Sequence, residues 1–204
     1  SVRRAWASLF VERAVFYRHD QKLDHLRSGI SLVVQKMIES DTSGVMFTID
    51  PITNDKGKII IEAIFGLGEF IVQGKVTPDH YEVNKKDLSI LQMQTRVQTI
   101  KMVKAKKENK EVSLNIKVGG EQKITDTQIV EIANLGKAIE KHYYFPQDIE
   151  WAIEKDKVYI VQTRPITTLR STQGKHFSTS GQIINEKTNL GLKLAQAILI
   201  GDPA

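Results

Sequence analysis

The stretch QDIEWAIEKDKVYIVQTRP, residues 147–165, sets two acids, an amide and a guanidinium among apolar and β-branched neighbours. Asp148, Glu150, Gln162 and Arg164 together suit one kind of chemistry. Carboxylate oxygens are hard ligands of the kind Mg²⁺ takes, and an arginine fork matches phosphate. Charges inside a sheet are costly unless something pairs with them, so the register of the two strands decides what these residues do.

Side chains alternate faces along a strand, so Asp148 and Glu150 share one face while Ile149, Trp151 and Ile153 share the other. On the return strand Gln162 and Arg164 share a face, and Tyr159, Val161 and Thr163 share its opposite. A two-residue turn at Lys155-Asp156 would set Glu150 opposite Val161 and mix both faces. A three-residue loop, Lys155 to Lys157, sets Glu150 opposite Gln162 and Asp148 opposite Arg164. A one-residue slip exchanges every side chain between faces, so the second register is expected, with Trp151 packed near Tyr159 and Val161. Two readings of the resulting patch stand side by side. One is a solvated Asp–Arg pair worth about 0–1 kcal/mol. The other is a cation site with an arginine for phosphate beside it.

The elements that must hold this hairpin follow from periodicity. Ala5, Leu9, Phe10, Ala14 and Phe16 recur at near-helical spacing and predict an amphipathic helix over residues 3–18. A short helix or turn is expected at residues 22–28. ISLVVQKMIES (residues 30–40) reads as a buried strand, as do SGVMFTIDP (43–51) and KIIIEAIFG (58–66). Glu62, in the middle of the last, either faces the same cleft or lies exposed. GLGEFIVQG suits a loop entering a helical turn, and HYEVNKKDLSILQMQTRVQTI predicts two or three strands with KKD as a turn. The basic run KMVKAKKENKE and NIKVGGEQ read as a surface excursion. Thr125 with Gln128 makes a capping box for a helix ending near Tyr144, striped by Ile129, Ile132, Leu135 and Ile139. The order predicts an α+β fold on a mostly antiparallel sheet with flanking helices.

The chain has 204 residues, 41% hydrophobic and 26% charged, as an ordinary globular domain has. Its net charge of +5 is concentrated in the basic run, which reads as a solvated edge; no DNA-reading motif accompanies it, so no nucleic-acid partner is expected. The absence of cysteine removes disulfides and thiolate zinc sites and fits a cytoplasmic location. No apolar run approaches the roughly 20 residues that span a bilayer, so no membrane partner is expected. SVRRAWASLF opens without Met inside a helical pattern, as expected of a piece cut from a longer chain. After Thr168 a Gly/Ser/Thr-rich texture predicts a boundary, with residues 1–168 forming one domain and 169–204 a linker and the start of a following segment.

The motifs WASLFVERAVFYR, VVQKMIESDTSGVMFTIDP, IEAIFGLGEFIVQGKVTPDHYEV, QDIEWAIE and VQTRPIT, in that order, carry a resemblance over Ala5 to Thr168. The chain resembles the second half of the nucleotide-binding domain of phosphoenolpyruvate synthases and pyruvate phosphate dikinases, a domain also found in rifampicin phosphotransferases and glucan water dikinases. The resemblance implies an ATP-grasp fold, in which two α+β halves hold ATP between them. It implies Glu150 and Gln162 as Mg²⁺ ligands with Asp148 a second carboxylate close by, and Arg164 as the grip on the ATP phosphates. It also implies Gln35, Lys36, Met37 and Ile38 as the hinge whose backbone meets the adenine edge. From its type alone, Gln35 reads equally as a polar residue at the edge of the core.

In such enzymes ATP phosphorylates a histidine on a separate domain, which passes the phosphate to an acceptor. The expected partners are therefore ATP, the preceding half of the ATP-grasp domain, the phosphohistidine domain and the acceptor domain, in the same or a companion chain. The chain alone is expected to bind ATP weakly and to phosphorylate nothing. Pyruvate is the leading acceptor and a rifamycin the alternative. A non-catalytic remnant acting only by interaction is the reading of another class, and intact Glu150, Gln162 and Arg164 count against it.

Overall fold

The computed structural model describes residues 2–105 and 108–166. Residues 2–36 and residues 37–166 fall into two separate units. The expected segment 169–204 lies outside the described residues.

In the first unit the single expected helix is broken. α1 (Val2–Ala7) runs into a 3₁₀ turn at Ser8–Phe10, and α2 (Glu12–Asp20) restarts after Val11, whose ψ of 147° is extended. The Ser8 hydroxyl donates back to the Ala5 carbonyl at 2.6 Å, the local competition by which serine interrupts helical ladders. Residues 22–28 form turns, with the Leu26 amide donating to Asp24. Residues 30–40 were expected as a buried strand, and no regular strand runs through them. Val33 and Val34 are 72% and 92% exposed. An apolar, β-branched run states a preference for burial, but a strand forms only where its backbone groups meet a ladder.

In the second unit, six strands form one sheet in the order β4-β3-β2-β1-β7-β8, every neighbouring pair antiparallel. They are β1 (Thr42–Phe47), β2 (Lys58–Phe65), β3 (Asp79–Asn84), β4 (Ile90–Gln94), β7 (Gln147–Glu154) and β8 (Lys157–Pro165). β1 stops short of the expected Pro51, because the Asp50 carboxylate turns the chain by accepting from the Ile52 and Thr53 amides and the Thr53 hydroxyl. The helical turn α3 (Glu69–Val72) follows the Gly-rich loop as predicted. The basic run supplies a separate hairpin of β5 (Ile100–Val103) and β6 (Lys110–Ser113), followed by the short α4 (Ile116–Gly119).

α5 (Asp126–Tyr143) starts on the predicted capping box, with the Gln128 amide donating to Thr125 Oγ1 at 3.3 Å and the Thr125 amide donating to Gln128 Oε1 at 2.9 Å. Its Ile129, Ile132 and Ala133 bury against Met46, Ile59, Ile61, Tyr81, Ile149 and Trp151 on one face of the sheet. Two glycines permit this packing. A Cβ on Gly136 would stand 2.6 Å from the Met46 sulfur, and one on Gly44 would stand 2.5 Å from Trp151 Cζ2 and collide with the Glu62 carbonyl oxygen. With this face committed to the core, the alternation of each strand sends its other residues to the opposite face.

The excursion between β4 and α5 is tied down by buried polar groups. Lys123 Nζ lies 3.1 Å from Asp79 Oδ1, both side chains fully buried, and donates to the carbonyls of Arg96, Gly119 and Glu121. Asp79 also accepts from the Arg96 and Lys123 amides and from the Tyr81 hydroxyl. Burial and the Asp79 charge hold the Tyr81 phenol well above its usual range. Every charge in this network is paired and hydrogen-bonded, the condition under which such burial is tolerated.

Candidate functional site

The hairpin of β7 and β8 reaches the expected register at its open end by an unexpected route. Asp148 pairs with Arg164, Ile149 with Thr163, and Glu150 with Gln162. The turn, however, has two residues. Lys155 and Asp156 both have positive φ (52° and 62°), and Glu154 pairs with Lys157. That is the left-handed turn whose twist matches the flanking strands. Between Glu150 and Trp151 the register shifts by one, leaving Val161 as an extra residue in β8. The bulge restores what the short turn would have spoiled. It also corrects the expected apolar face: Val158 and Ile160, not Tyr159 and Val161, pack toward the core with Trp151. Tyr159 pairs with Ala152, and so stands on the face of Glu150 and Gln162.

On that face the four predicted side chains come together, each partly buried. Arg164 donates through Nε to Asp148 Oδ2 at 2.8 Å, and its Nη2 lies 2.7 Å from the same oxygen. The Asp148 side chain is 12% exposed and that of Arg164 is 33% exposed. Asp148, expected as a second carboxylate beside a metal, thus engages one of its oxygens with the guanidinium and fixes its direction. Glu150 and Gln162 differ: neither side chain has a hydrogen-bond partner among the described residues. Burial raises the Glu150 carboxyl above its usual pKa, Arg164 opposes the rise and Asp148 adds to it.

The face continues across the sheet. Gln162, Glu150, Val45, Glu62, His80 and Gln94 form one row of paired residues, and Arg164, Asp148, Phe47, Ile60, Glu82 and Gln92 form the next. Glu62 therefore shares the face of Glu150, two strands away. His80 stands 3.9 Å from it and 3.7 Å from Glu82, and burial raises the Glu62 carboxyl against the pull of His80. Tyr159 was not read as a site residue from sequence. The pointer to it is the dipeptide Lys155-Asp156, whose aspartate suits a left-handed two-residue turn.

The structure does not assign Gln35–Ile38 to one body: Gln35 and Lys36 belong to the first unit and Met37 and Ile38 to the second. Directly after Ile38 the chain is anchored to the closed end of the hairpin. The Glu39 amide donates to Glu154 Oε1, the Asp41 amide to the Ile153 carbonyl, and the Lys155 amide to Asp41 Oδ2, each at 2.8 Å.

A half-buried carboxylate beside a primary amide offers hard oxygen donors only, which fits Mg²⁺. No group of three or more His, Cys, Asp and Glu residues is placed to hold a metal among the described residues. Among the described residues no helix is long and apolar enough to cross a membrane.

Comparison with known proteins finds relatives over most of the chain. The family described as pyruvate phosphate dikinase, AMP/ATP-binding domain, matches residues 1–183. A probable phosphoenolpyruvate synthase of Pyrococcus abyssi is 47% identical over 181 residues, covering 84% of this chain and 22% of that protein. The phosphoenolpyruvate synthase of Pyrococcus furiosus is 47% identical over 83% of this chain and 22% of its own length. The rifampicin phosphotransferase of Bacillus cereus is 41% identical over 82% of this chain and 19% of its own length. The chain thus spans about a fifth of the length of these relatives.

Proposed function

The chain belongs to the pyruvate phosphate dikinase AMP/ATP-binding domain family, and from that premise we propose that it is the ATP-binding part of a dikinase-type phosphotransferase with an ATP-grasp architecture. The enzyme transfers phosphate from ATP to a histidine on another domain and from there to pyruvate. The observation that carries the reading is the division of labour on the hairpin face. Arg164 is aimed by Asp148, while Glu150 and Gln162, half-buried and paired across the strands, have no hydrogen-bond partner among the described residues. A desolvated carboxylate kept free of hydrogen bonds is poised for a cation.

In this reading Glu150 and Gln162 hold Mg²⁺, with Asp148 beside them, and Arg164 grips the ATP phosphates. The metal, when bound, neutralises charge on the phosphates. Gln35, Lys36, Met37 and Ile38 meet the adenine edge through backbone groups. Asp148 holds the guanidinium through Nε and Nη2 and so fixes where it meets the phosphates. The remaining parts, namely the other half of the ATP-grasp domain, the phosphohistidine domain and the acceptor domain, lie in sequence beyond this fifth of the relatives' length, and the chain alone is inactive. A cytoplasmic setting suits the chemistry.

Relatives named phosphoenolpyruvate synthase stand at 40–47% identity and those named rifampicin phosphotransferase at 41%; the upper end of the first range favours pyruvate, and the overlap keeps a rifamycin as the second acceptor. The test uses the protein expressed from its whole gene. ATP-dependent phosphorylation of pyruvate is expected, with Glu150→Ala abolishing both Mg²⁺-dependent ATP binding and turnover. Phosphorylation of a rifamycin and not of pyruvate would transfer the proposal to the drug-modifying relatives. Normal ATP binding by Glu150→Ala would overturn the site.

A further inference from the structure

Three pairs of β7 and β8 follow one another on the site face: Ala152 with Tyr159, Glu150 with Gln162, and Asp148 with Arg164. They set a phenol ring, an amide and a guanidinium in file. Ala152 lies four steps along β7 from Asp148, so at about 3.3 Å per residue the file is about 13 Å long. That is comparable to an extended nucleoside triphosphate from its base to its terminal phosphate. The two ends of the file differ. Arg164 marks one. At the other, the segment following Met37 and Ile38 is pinned to Glu154, Ile153 and Lys155 by three hydrogen bonds of 2.8 Å.

A nucleotide whose phosphates meet Arg164 and whose base edge meets Met37 and Ile38 must lay its nucleoside along the Tyr159 end. We propose that the Tyr159 ring is the stacking platform for the purine nucleoside and determines how tightly the base is held. The inference rests on the ATP-site reading above. Tyr159 is half-buried, as a platform with one free side must be. Its π-face already attracts a cation: Lys157 Nζ stands 5.2 Å from the ring centroid. Lys157, two residues away on the same face, is itself exposed and so is free to yield that position to a base. The bulge at Val161 is what brings the ring here, since the unbulged strand would send it to the core face.

Aromatic stacking acts on the base and not on the phosphates, which gives the test. The protein expressed from its whole gene is titrated calorimetrically with ATP, AMP and inorganic tripolyphosphate. Stacking worth about 1–3 kcal/mol per base corresponds to about 5- to 150-fold. Tyr159→Ala and Tyr159→Leu are expected to weaken ATP and AMP by that factor and leave tripolyphosphate within about twofold. Tyr159→Phe, which keeps the ring, restores nucleotide affinity, and Arg164→Ala weakens tripolyphosphate. If Tyr159→Leu binds ATP as wild type does while Arg164→Ala weakens it, the platform is refuted and the ATP site stands. Equal loss of all three ligands in Tyr159→Leu also refutes the platform. If neither position affects ATP, or the wild type binds none, the ATP-site reading falls and the platform with it.

Discussion

Replacing Glu150 by Gln separates the cost of this site from its use. The substitution keeps the shape of the side chain and removes one half-buried charge that has no hydrogen-bond partner among the described residues. Desolvation is the largest cause of the raised Glu150 pKa, so the ionised carboxylate opposes folding. The sign follows from the direction of the shift. A carboxyl whose folded pKa lies above the unfolded value of 4.5 favours the fold at low pH. That contribution is lost as pH rises from 4.5 through the raised value. Ligand-free Glu150→Gln should therefore be at least as stable as wild type at pH 7, and its melting temperature should rise less steeply on acidification across that window. With Mg²⁺ and ATP at a hundred times Kd, linkage adds about 2.7 kcal/mol to the wild type. At roughly 2–4 °C per kcal/mol for a cooperative unit of this size, the shift in the melting transition of this domain is about 5–11 °C. Glu150→Gln should lose most of it. Scanning calorimetry of the whole-gene protein at several pH values, with and without Mg²⁺ and ATP, measures both arms. A variant less stable than wild type without ligand, or one that keeps the full ligand shift, would refute the assignment of Glu150 as a strained ligand.

Two further outcomes follow from the geometry. Arg164→Lys replaces a planar donor fork by a point charge. Steady-state kinetics should show turnover falling much more than the affinity for ATP, and unchanged turnover would remove Arg164 from the phosphate path. Lys123→Met leaves Asp79 buried without its cation and should cost about 3–5 kcal/mol in denaturant unfolding, whereas a loss below about 1 kcal/mol would show that the pair carries no net weight.

The hairpin face was legible because two periods had to agree. Only one register puts Asp148 and Glu150 beside Arg164 and Gln162 while Ile149, Trp151 and Ile153 go to the core. The means was hidden: a three-residue loop and a two-residue turn with a later bulge give the same pairing at the open end, and differ only in which of Tyr159 and Ile160 faces inward. α5 was legible from its cap and stripe, because both are local. Residues 30–40 were misread because a strand depends on a neighbour that composition does not specify. The long first helix was misread because its stripe runs across Val11 unaware of the break. Lys123 and Asp79 carry no local sign of burial; only the fold brings 79 and 123 together. The four candidate residues were singled out by type and register, and their unequal states, Arg164 held by Asp148 and Glu150 without a hydrogen bond among the described residues, became visible only with coordinates.

The extra residue at Val161 gives the hairpin two independent halves. The closed end sets the faces of Tyr159 and Ile160, the open end sets those of Gln162 and Arg164, and the extra residue lies between them. Deleting Val161 alone would straighten β8 and leave Ile160 opposite Trp151 and Gln162 opposite Glu150, so the spare residue is one that this face can lose without a change of phase.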